Sequence, residues 1–183
     1  THDTIGESKV VVCEARIKQL NPNCEVQGHQ MFYLPETAEH LDFTEYDYVV
    51  DAVDTVSAKL DIIERCKSVG VPIISCMGCG NRIDPTKLAI MDIAKTSMDP
   101  LAKVIRKGLK DRRIKGVKVL CSTEEPIVPI LPEGGEAECK GTAGRVAPGS
   151  TPFVPAAAGL AIASEVVKDL TGFDSQKRTK GGH

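Results

Sequence analysis

A strand, a helix and a second strand follow one another in residues 46–75, and this order limits the fold more than any other feature. The run YDYVVDAVD predicts a strand, TVSAKLDIIERCKSVG predicts a helix that ends at Gly70, and VPIIS predicts a short buried strand. Two strands joined through a helix by short connections form a parallel βαβ crossover. We therefore expect an α/β fold built on a mainly parallel sheet.

The rest of the chain predicts further helices and strands. The segment VVVCEARIKQL predicts a helix that stops at Asn21 and Pro22, and CEVQGHQMFY predicts a strand. KLAIMDI and GVKVLCS predict two more strands, and Asp99 with Pro100 marks the start of an amphipathic helix. PAAAGLAIASEVVKDLTG predicts a closing helix. The Pro- and Gly-rich segment PEGGEAECKGTAG is expected to be a mobile loop, and SQKRTKGGH a frayed tail.

Charge is distributed unevenly along the chain. Between Lys95 and Lys118, nine basic residues accompany two acidic ones, a local charge of +7 in a chain whose net charge is -2. Such a segment is typical of a surface that meets a polyanion, although a solvated helix face explains the charge equally well. The candidate nucleic-acid contacts are Lys103, Arg106, Lys107, Lys110, Arg112 and Arg113.

Composition and segment lengths indicate where the protein works. No apolar run approaches the roughly 18 residues that span a bilayer, and no basic, apolar and small-residue leader opens the chain. We therefore expect a soluble cytoplasmic protein with no membrane partner. The seven cysteines are odd in number and scattered, which favours reduced thiols.

Two aspartates, Asp51 and Asp54, end the first strand of the crossover. In open parallel sheets, ligands bind beyond the carboxyl ends of the strands, and the loop of residues 76–81 follows the neighbouring strand at the same edge. A carboxylate there can hold Mg²⁺ and thereby the phosphates of a nucleotide. It can also cap the helix that begins near Val56, which is the commoner role for an aspartate in this position.

Several segments resemble the ThiF and MoeB type of adenylating enzyme: DTIGESK, DYVVDAVDTVSAK, IDPTKLAIMDIAKTSMDPLAKVIRKGLK, STEEP and FVPAAAGLAIASEVV. Within that superfamily they are most similar to the tRNA threonylcarbamoyladenosine dehydratases. The resemblance implies a Rossmann-like three-layer fold, with residues 1–172 as the latter part of a single adenylating domain and residues 173–183 as a flexible tail. It also implies a homodimeric enzyme that uses ATP and Mg²⁺ to adenylate the threonyl carboxylate on adenosine 37 of tRNA and to cyclise it.

The same resemblance assigns two residues to the nucleotide. Asp54 matches the Mg²⁺-binding aspartate of the motif DAxD, and Lys9 matches the lysine of DxxGxxK that contacts ATP phosphates. Lysine provides a point charge to phosphate oxygens, and a carboxylate-bound metal neutralises the leaving pyrophosphate. Asp51 is expected to be structural. No covalent nucleophile is assigned, since the attacking nitrogen belongs to the same modified adenosine as the activated carbonyl.

The chain departs from the superfamily in lacking the motif G-x-G-x-x-G, whose backbone amides bind phosphate at a helix N-terminus. We therefore expect the latter part of a larger protein, without at least one βαβ unit of about 30 residues. Alone, the chain is expected to bind ATP weakly and to be inactive. Two alternatives stay open: an activating enzyme for a ubiquitin-like sulfur carrier, and a non-catalytic tRNA-binding module.

The remaining motif is the C-x-x-C pair of Cys76 and Cys79. MoeB-type relatives bind structural zinc through two such pairs, and this chain has no second pair to complete four ligands. Zinc is therefore not expected. The sequence leaves open whether the pair has a redox role or only lines a pocket, and what role Cys121 has. It also leaves open a monovalent cation and a sulfur-transfer or redox protein partner.

Overall fold

The computed structural model describes residues 1–128, 130, 139–140, 145–146 and 148–173. They belong to two compact units, Thr1–His40 and Leu41–His183. Most of the predicted loop at residues 132–144 and all of the predicted tail from residue 174 onward lie outside the described residues. The expectation of a single domain over residues 1–172 stays a prediction.

The first unit contains helix α1 (Lys9–Leu20), preceded by a 3-10 turn at His2–Thr4. The helix confirms the sequence prediction and ends where the Asn21 amide donates to the Ile17 carbonyl. The predicted strand at residues 24–33 is wrong, because these residues are neither helix nor strand. Among the described residues of this unit there is no strand for them to pair with. Local bonds hold them instead, such as that from Lys18 Nζ to the Cys24 carbonyl (2.8 Å).

The second unit is built on a four-stranded sheet in the part of the chain that the structure describes. Its strand order is β1-β2-β4-β3, with β1, β2 and β4 parallel and β3 antiparallel to β4. This confirms the predicted mainly parallel sheet. The strands are β1 (Val49–Asp51), β2 (Ile73–Cys76), β3 (Leu88–Asp92) and β4 (Lys118–Ser122), and a separate antiparallel pair consists of β5 (Cys139–Lys140) and β6 (Arg145–Val146).

Three helices accompany this sheet: α2 (Val56–Val69), α3 (Pro100–Asp111) and α4 (Phe153–Thr171). Helix α2 ends at Gly70, whose left-handed φ of 78° favours glycine, as predicted. Helix α3 has the predicted cap at Asp99, and α4 begins two residues before the predicted Pro155. Short 3-10 turns lie at Phe43–Glu45, Pro85–Lys87 and Ile93–Lys95. Within the described ranges, no helix is both apolar enough and long enough to cross a membrane.

The helices cover opposite faces of the sheet. Ile74 and Leu120 pack against Ala158 and Ile162 of α4. Side chains alternate along a strand, so the neighbouring Ser75 points to the other face, where a lysine of α2 reaches it. The second unit therefore has the three-layer arrangement expected for a Rossmann-like fold.

Close packing also fixes α3 against α2. A Cβ atom at Gly108 of α3 would lie 2.7 Å from Leu60 Cδ1 of α2, closer than such atoms approach. On the other face, Lys118 of β4 holds α4 through Asp169 (2.6 Å) and Glu165 (2.9 Å). Tyr48 donates to the same Asp169 carboxylate (2.7 Å), and burial together with this bond raises the pKa of the tyrosine. The contact at Gly108 thus positions α3 in one layer, and the ion pairs of Lys118 position α4 in the other.

A buried ion pair joins Asp51 at the end of β1 to Lys59 of α2. The Nζ–Oδ2 distance is 3.0 Å, and both side chains are fully buried. Lys59 also donates to the Cys76 carbonyl (2.7 Å), while Ser75 donates its hydroxyl to Asp51. The Val53 amide donates to the second carboxylate oxygen of Asp51 (3.1 Å). These contacts agree with the structural role expected of Asp51.

We predict that Lys59→Met lowers the free energy of unfolding by about 3–5 kcal/mol, because it leaves the Asp51 carboxylate buried without its cation. Urea denaturation measures the change. The control is Glu64→Gln, which breaks the exposed pair of α2 with Arg112 (3.0 Å) and should cost no more than about 1 kcal/mol. Equal losses in the two variants would contradict the structural role assigned to the buried pair.

Candidate functional site

A cavity of about 880 Å³ opens at the carboxyl ends of β1 and β2. Its walls include residues 52–54 after β1, residues 76–82 after β2, and the first residues of α3. The volume lies in the range of small-molecule sites, and the position is the edge at which open parallel sheets bind ligands. The prediction that the two loops after these strands lie side by side is confirmed.

Asp54 lines this cavity and is exposed. The N-cap position of α2 is Thr55, so Asp54 stands one residue before the cap. Asp54 is thus not at the N-cap position, and the side chain of Thr55 makes no cap hydrogen bond. Mg²⁺ is usually held by one or two carboxylates together with substrate phosphates. A single aspartate that faces a nucleotide-sized cavity can supply the carboxylate in such a set. Metal binding by Asp54 stays a prediction.

Other metal ligands do not gather near it. Among the described residues there is no group of three or more His, Cys, Asp or Glu side chains that could hold an ion. Any Mg²⁺ at Asp54 would thus take its remaining ligands from water and bound phosphate. Lys9, the second residue predicted to contact the nucleotide, is the exposed first residue of α1 in the first unit. Its contact with phosphate also stays a prediction.

Backbone hydrogen bonds hold the loop after β2 at several points. The Met77 amide donates to the Leu120 carbonyl (2.8 Å). Asn81 exchanges two bonds with Gly149, from its own amide (2.8 Å) and to its side-chain oxygen (2.7 Å). Gly80 allows the approach of Pro148, whose Cβ would lie 2.7 Å from a Cβ atom at residue 80. The loop wall of the cavity is therefore defined by contacts along its length.

Asp99 connects this loop to α3. Its Oδ1 accepts from the Ala102 amide (2.9 Å) and caps the helix, while its Oδ2 accepts from the Gly78 amide (3.1 Å). The carboxylate is buried, with 4% of the residue exposed. The sequence predicted the cap, but not the second bond, because Gly78 is 21 residues away.

Arg82 is the residue of the site that the sequence analysis missed. It lines the cavity with only 3% of its surface exposed, and its Nη2 donates to the Met98 carbonyl (2.8 Å). Its Nε and Nη1 are buried and have no hydrogen-bond partner in the described part of the chain. A buried guanidinium with free donors is costly, and a carboxylate or phosphate satisfies it. The sequence did offer one indication of this role, because Arg82 directly follows Gly80 and Asn81 on a loop that was expected to face a ligand.

The cysteines of the site have different environments. Cys76 and Cys79 both line the cavity, with their sulfur atoms 3.8 Å apart. The hydrogen bond from Cys76 lowers the pKa of Cys79 to about 7, and the same bond raises the pKa of Cys76. Cys121 is buried in β4, and burial raises its pKa. A neutral, buried thiol at Cys121 agrees with the absence of an assigned nucleophile.

Most of the predicted nucleic-acid contacts line one groove of about 1050 Å³ beside α3. Five of the six candidates line it, and Lys115 adds a further positive charge. Arg106 is engaged within the protein, since it donates to the carbonyl (2.8 Å) and the hydroxyl of Thr96. Arg112 is not in the groove and pairs with Glu64 of α2. The exposed candidates that line the groove are Lys103, Lys107, Lys110 and Arg113.

Known proteins resemble this chain along nearly all of its length. The sequence profile of the ThiF family matches residues 1–181. A Bacillus subtilis tRNA threonylcarbamoyladenosine dehydratase is 42% identical over 181 residues, which are 97% of this chain and 71% of the relative. The Escherichia coli enzyme of that name is 35% identical over 69% of this chain and 50% of its own length. The chain thus spans between half and about three quarters of these two relatives.

A solved structure shows the same fold. The E. coli tRNA N6-threonylcarbamoyladenosine dehydratase in complex with ATP superposes with a TM-score of 0.77 at 30% identity. The match covers 99% of this chain and 70% of the other. A protein with the same arrangement of helices and strands therefore binds ATP.

We predict that Asp99→Ala lowers the free energy of unfolding by about 1–3 kcal/mol, through loss of the helix cap and of the bond to Gly78. Amide hydrogen exchange at Gly78 should also become faster. Asp99→Asn should keep the helix cap, because asparagine caps a helix as well as aspartate does, but it should lose the bond to Gly78, since its NH₂ group cannot accept. The control is Asp92→Ala, which removes the bond to the Ala94 amide (2.8 Å) at another turn. Unchanged exchange at Gly78 in Asp99→Ala would show that the carboxylate does not hold the loop.

Proposed function

The chain belongs to the ThiF family, and from this premise we propose that it functions as an ATP-dependent tRNA threonylcarbamoyladenosine dehydratase. In this reaction the enzyme adenylates the threonyl carboxylate on adenosine 37 of tRNA and cyclises it. The observation that carries the proposal is the cavity at the ends of β1 and β2, which an exposed carboxylate, Asp54, and a buried guanidinium, Arg82, line together. A homodimer in the cytoplasm is part of the proposal, as the family resemblance implies.

The residues of the cavity suit an anionic nucleotide. Asp54 would hold Mg²⁺, and such an ion would supply positive charge to offset that of a departing pyrophosphate. The unsatisfied Nε and Nη1 of Arg82 donate to a carboxylate or phosphate oxygen, for which a planar guanidinium is well matched. Lys9, in the first unit, is proposed to contact ATP phosphate, as its family motif implies.

Ring closure requires few catalytic groups from the protein. The attacking nitrogen and the activated carbonyl belong to one substituent of the adenosine, so orientation alone supplies much of the acceleration. Apolar side chains, among them Met77, Leu101 and Ile162, form part of the cavity wall against which a substrate can be oriented. The buried thiol of Cys121 is not required for such a reaction.

The groove beside α3 gives the proposed enzyme a place to hold the RNA backbone. Lys103, Lys107, Lys110 and Arg113 are exposed along one side of it. Lysine and arginine contacts to phosphate are independent of base sequence and position the nucleic acid. Selection of adenosine 37 is then left to the cavity.

Mass analysis of tRNA nucleosides tests the proposal. Substrate tRNA that carries threonylcarbamoyladenosine is incubated with the complete enzyme, with and without ATP, and digested to nucleosides. The modified adenosine should lose the mass of one water only when ATP is present. No loss of water with ATP, or equal loss without it, would reject the proposed function.

We predict that Asp54→Asn lowers ATP-dependent dehydration at least about 100-fold, because a metal at the phosphates supplies several kcal/mol of transition-state stabilisation. The fold should stay intact, since Asp54 is exposed. Nucleoside mass analysis gives the rate, and circular dichroism gives the folded fraction. Asp47→Asn removes another exposed carboxylate and serves as the control. Turnover in Asp54→Asn equal to that of the control would remove the metal assignment.

We predict that Lys107→Gln with Lys110→Gln weakens tRNA binding and flattens its dependence on salt. Each lost phosphate contact reduces the magnitude of the slope of log K against log [salt] by about 0.7–0.9. Filter binding over a salt series measures both quantities. Arg112→Gln should change the slope less, because Arg112 pairs with Glu64.

The matched control for the double variant is Arg16→Gln with Lys87→Gln, which removes the same charge from two exposed basic residues outside the groove. This variant should bind tRNA with a slope close to that of the unmodified protein. Equal slopes in the two double variants would show that the groove is a solvated surface. Sedimentation of the same samples excludes a change of oligomeric state as the cause.

A further inference from the structure

The C-x-x-C pair in the wall of the cavity is not used by the function proposed above. Cys76 ends β2 and Cys79 lies in the loop that follows, with their sulfur atoms 3.8 Å apart. Both residues are partly exposed and line the cavity, so a small molecule can reach them. Two adjacent accessible thiols are the minimum requirement for a reversible disulfide.

We propose that Cys76 and Cys79 form a redox-active dithiol that is oxidised to an intramolecular disulfide by low-molecular-weight disulfides of the glutathione type. The site is separate in its chemistry from the adenylation reaction. It therefore stands or fails independently of the proposed function.

Geometry supports closure of this bond. A disulfide places its sulfur atoms about 2.05 Å apart, so the two sulfurs must approach by about 1.8 Å. Rotation of the two side chains supplies a movement of this size. The backbone between them is held by the bonds of Met77 to Leu120 and of Gly78 to Asp99, which keep the thiols together in the reduced protein.

The surrounding charges assign different tasks to the two thiols. The hydrogen bond from Cys76 lowers the pKa of Cys79 to about 7, and the cations Lys59 and Arg82 act in the same direction, against burial and the Asp99 carboxylate. A thiol whose pKa is near the ambient pH is the best attacking group in disulfide exchange. The pKa of Cys76 is raised, first by the bond to Cys79 and then by burial. Cys79 is thus the attacking thiolate and Cys76 the resolving thiol.

The exchange takes place in two balanced steps. The Cys79 thiolate attacks one sulfur of the small disulfide, breaks its S–S bond and forms a mixed disulfide, while the released thiolate takes up the proton that Cys79 lost. Cys76 then gives up its proton and attacks the Cys79 sulfur, and the second small thiol leaves with that proton. Two protein thiols are oxidised, and one small disulfide is reduced to two thiols.

Zinc and a purely structural role are the competing explanations. The pair provides two of the four ligands that a structural zinc site requires, and no larger ligand group exists among the residues described. Structural thiols are typically enclosed and inert, as Cys66 is, where burial raises the pKa to about 11. Cys76 and Cys79 are instead accessible and adjacent to each other.

Peptide mass mapping tests the proposal on the complete, folded protein. The protein is incubated with oxidised glutathione, quenched with acid, treated with an alkylating reagent and digested with trypsin. Both cysteines are released in one peptide, residues 68–82, which contains no other cysteine. This peptide should become lighter by two hydrogen atoms and resist alkylation, and dithiothreitol should reverse the change.

Two variants assign the roles of the thiols. Cys76→Ser, whose hydroxyl can still donate to Cys79, should accumulate a glutathione adduct on Cys79. Cys79→Ser, whose hydroxyl can still accept from Cys76, should form its adduct on Cys76 at least about 10-fold more slowly, since reactivity follows the thiolate fraction. Cys13→Ala, which removes an exposed cysteine of the first unit, should behave as the unmodified protein does. Complete alkylation of both thiols of the pair under conditions that modify Cys13 would overturn the proposal. Equal adduct formation in the two serine variants would overturn the assignment of Cys79 as the attacking thiol.

Discussion

The buried ion pair between Asp51 and Lys59 is the interaction on which the arrangement of the site depends. A charge that is removed from water must be paired, and here one ammonium group contacts a carboxylate of β1 and a carbonyl at the end of β2. Helix α2 supplies that ammonium group, so strand register and helix position are fixed together. Asp54 follows Asp51 closely in the chain, and the loop of the cavity wall begins at Cys76. The ion pair therefore positions both walls of the cavity.

Local patterns predicted most of the fold but not the contacts within it. The crossover and the cap of α3 were predicted because strand runs, Gly70 and the Asp99-Pro100 pair act over a few residues. The strand at residues 24–33 was wrong because a strand also requires a pairing partner, which composition does not reveal. Arg82 was missed because its burial depends on residues that are distant in sequence. The pair of Arg112 with Glu64 was not predicted for the same reason, and the contact of Arg112 with nucleic acid stays a prediction.

The cavity and the groove beside α3 divide recognition between two kinds of interaction. The cavity combines apolar walls with a carboxylate and a guanidinium, a combination that orients one small ligand. The groove offers exposed lysines on a helix face, which attract any phosphate backbone. Helix α3 belongs to both, because Asp99, Pro100 and Leu101 line the cavity while its later turns line the groove. In the proposed enzyme, a single rigid element connects them.

The contact of Gly108 with Leu60 gives that connection a fixed length. Gly108 lets α3 pack closely on Leu60 of α2, and the helix rise of about 1.5 Å per residue places Lys107 about 12 Å along the axis from Asp99. A helix packed in this way keeps the cavity and the groove at a constant separation. In the proposed enzyme, this distance would separate the RNA phosphates held at the groove from the nucleotide that the cavity selects.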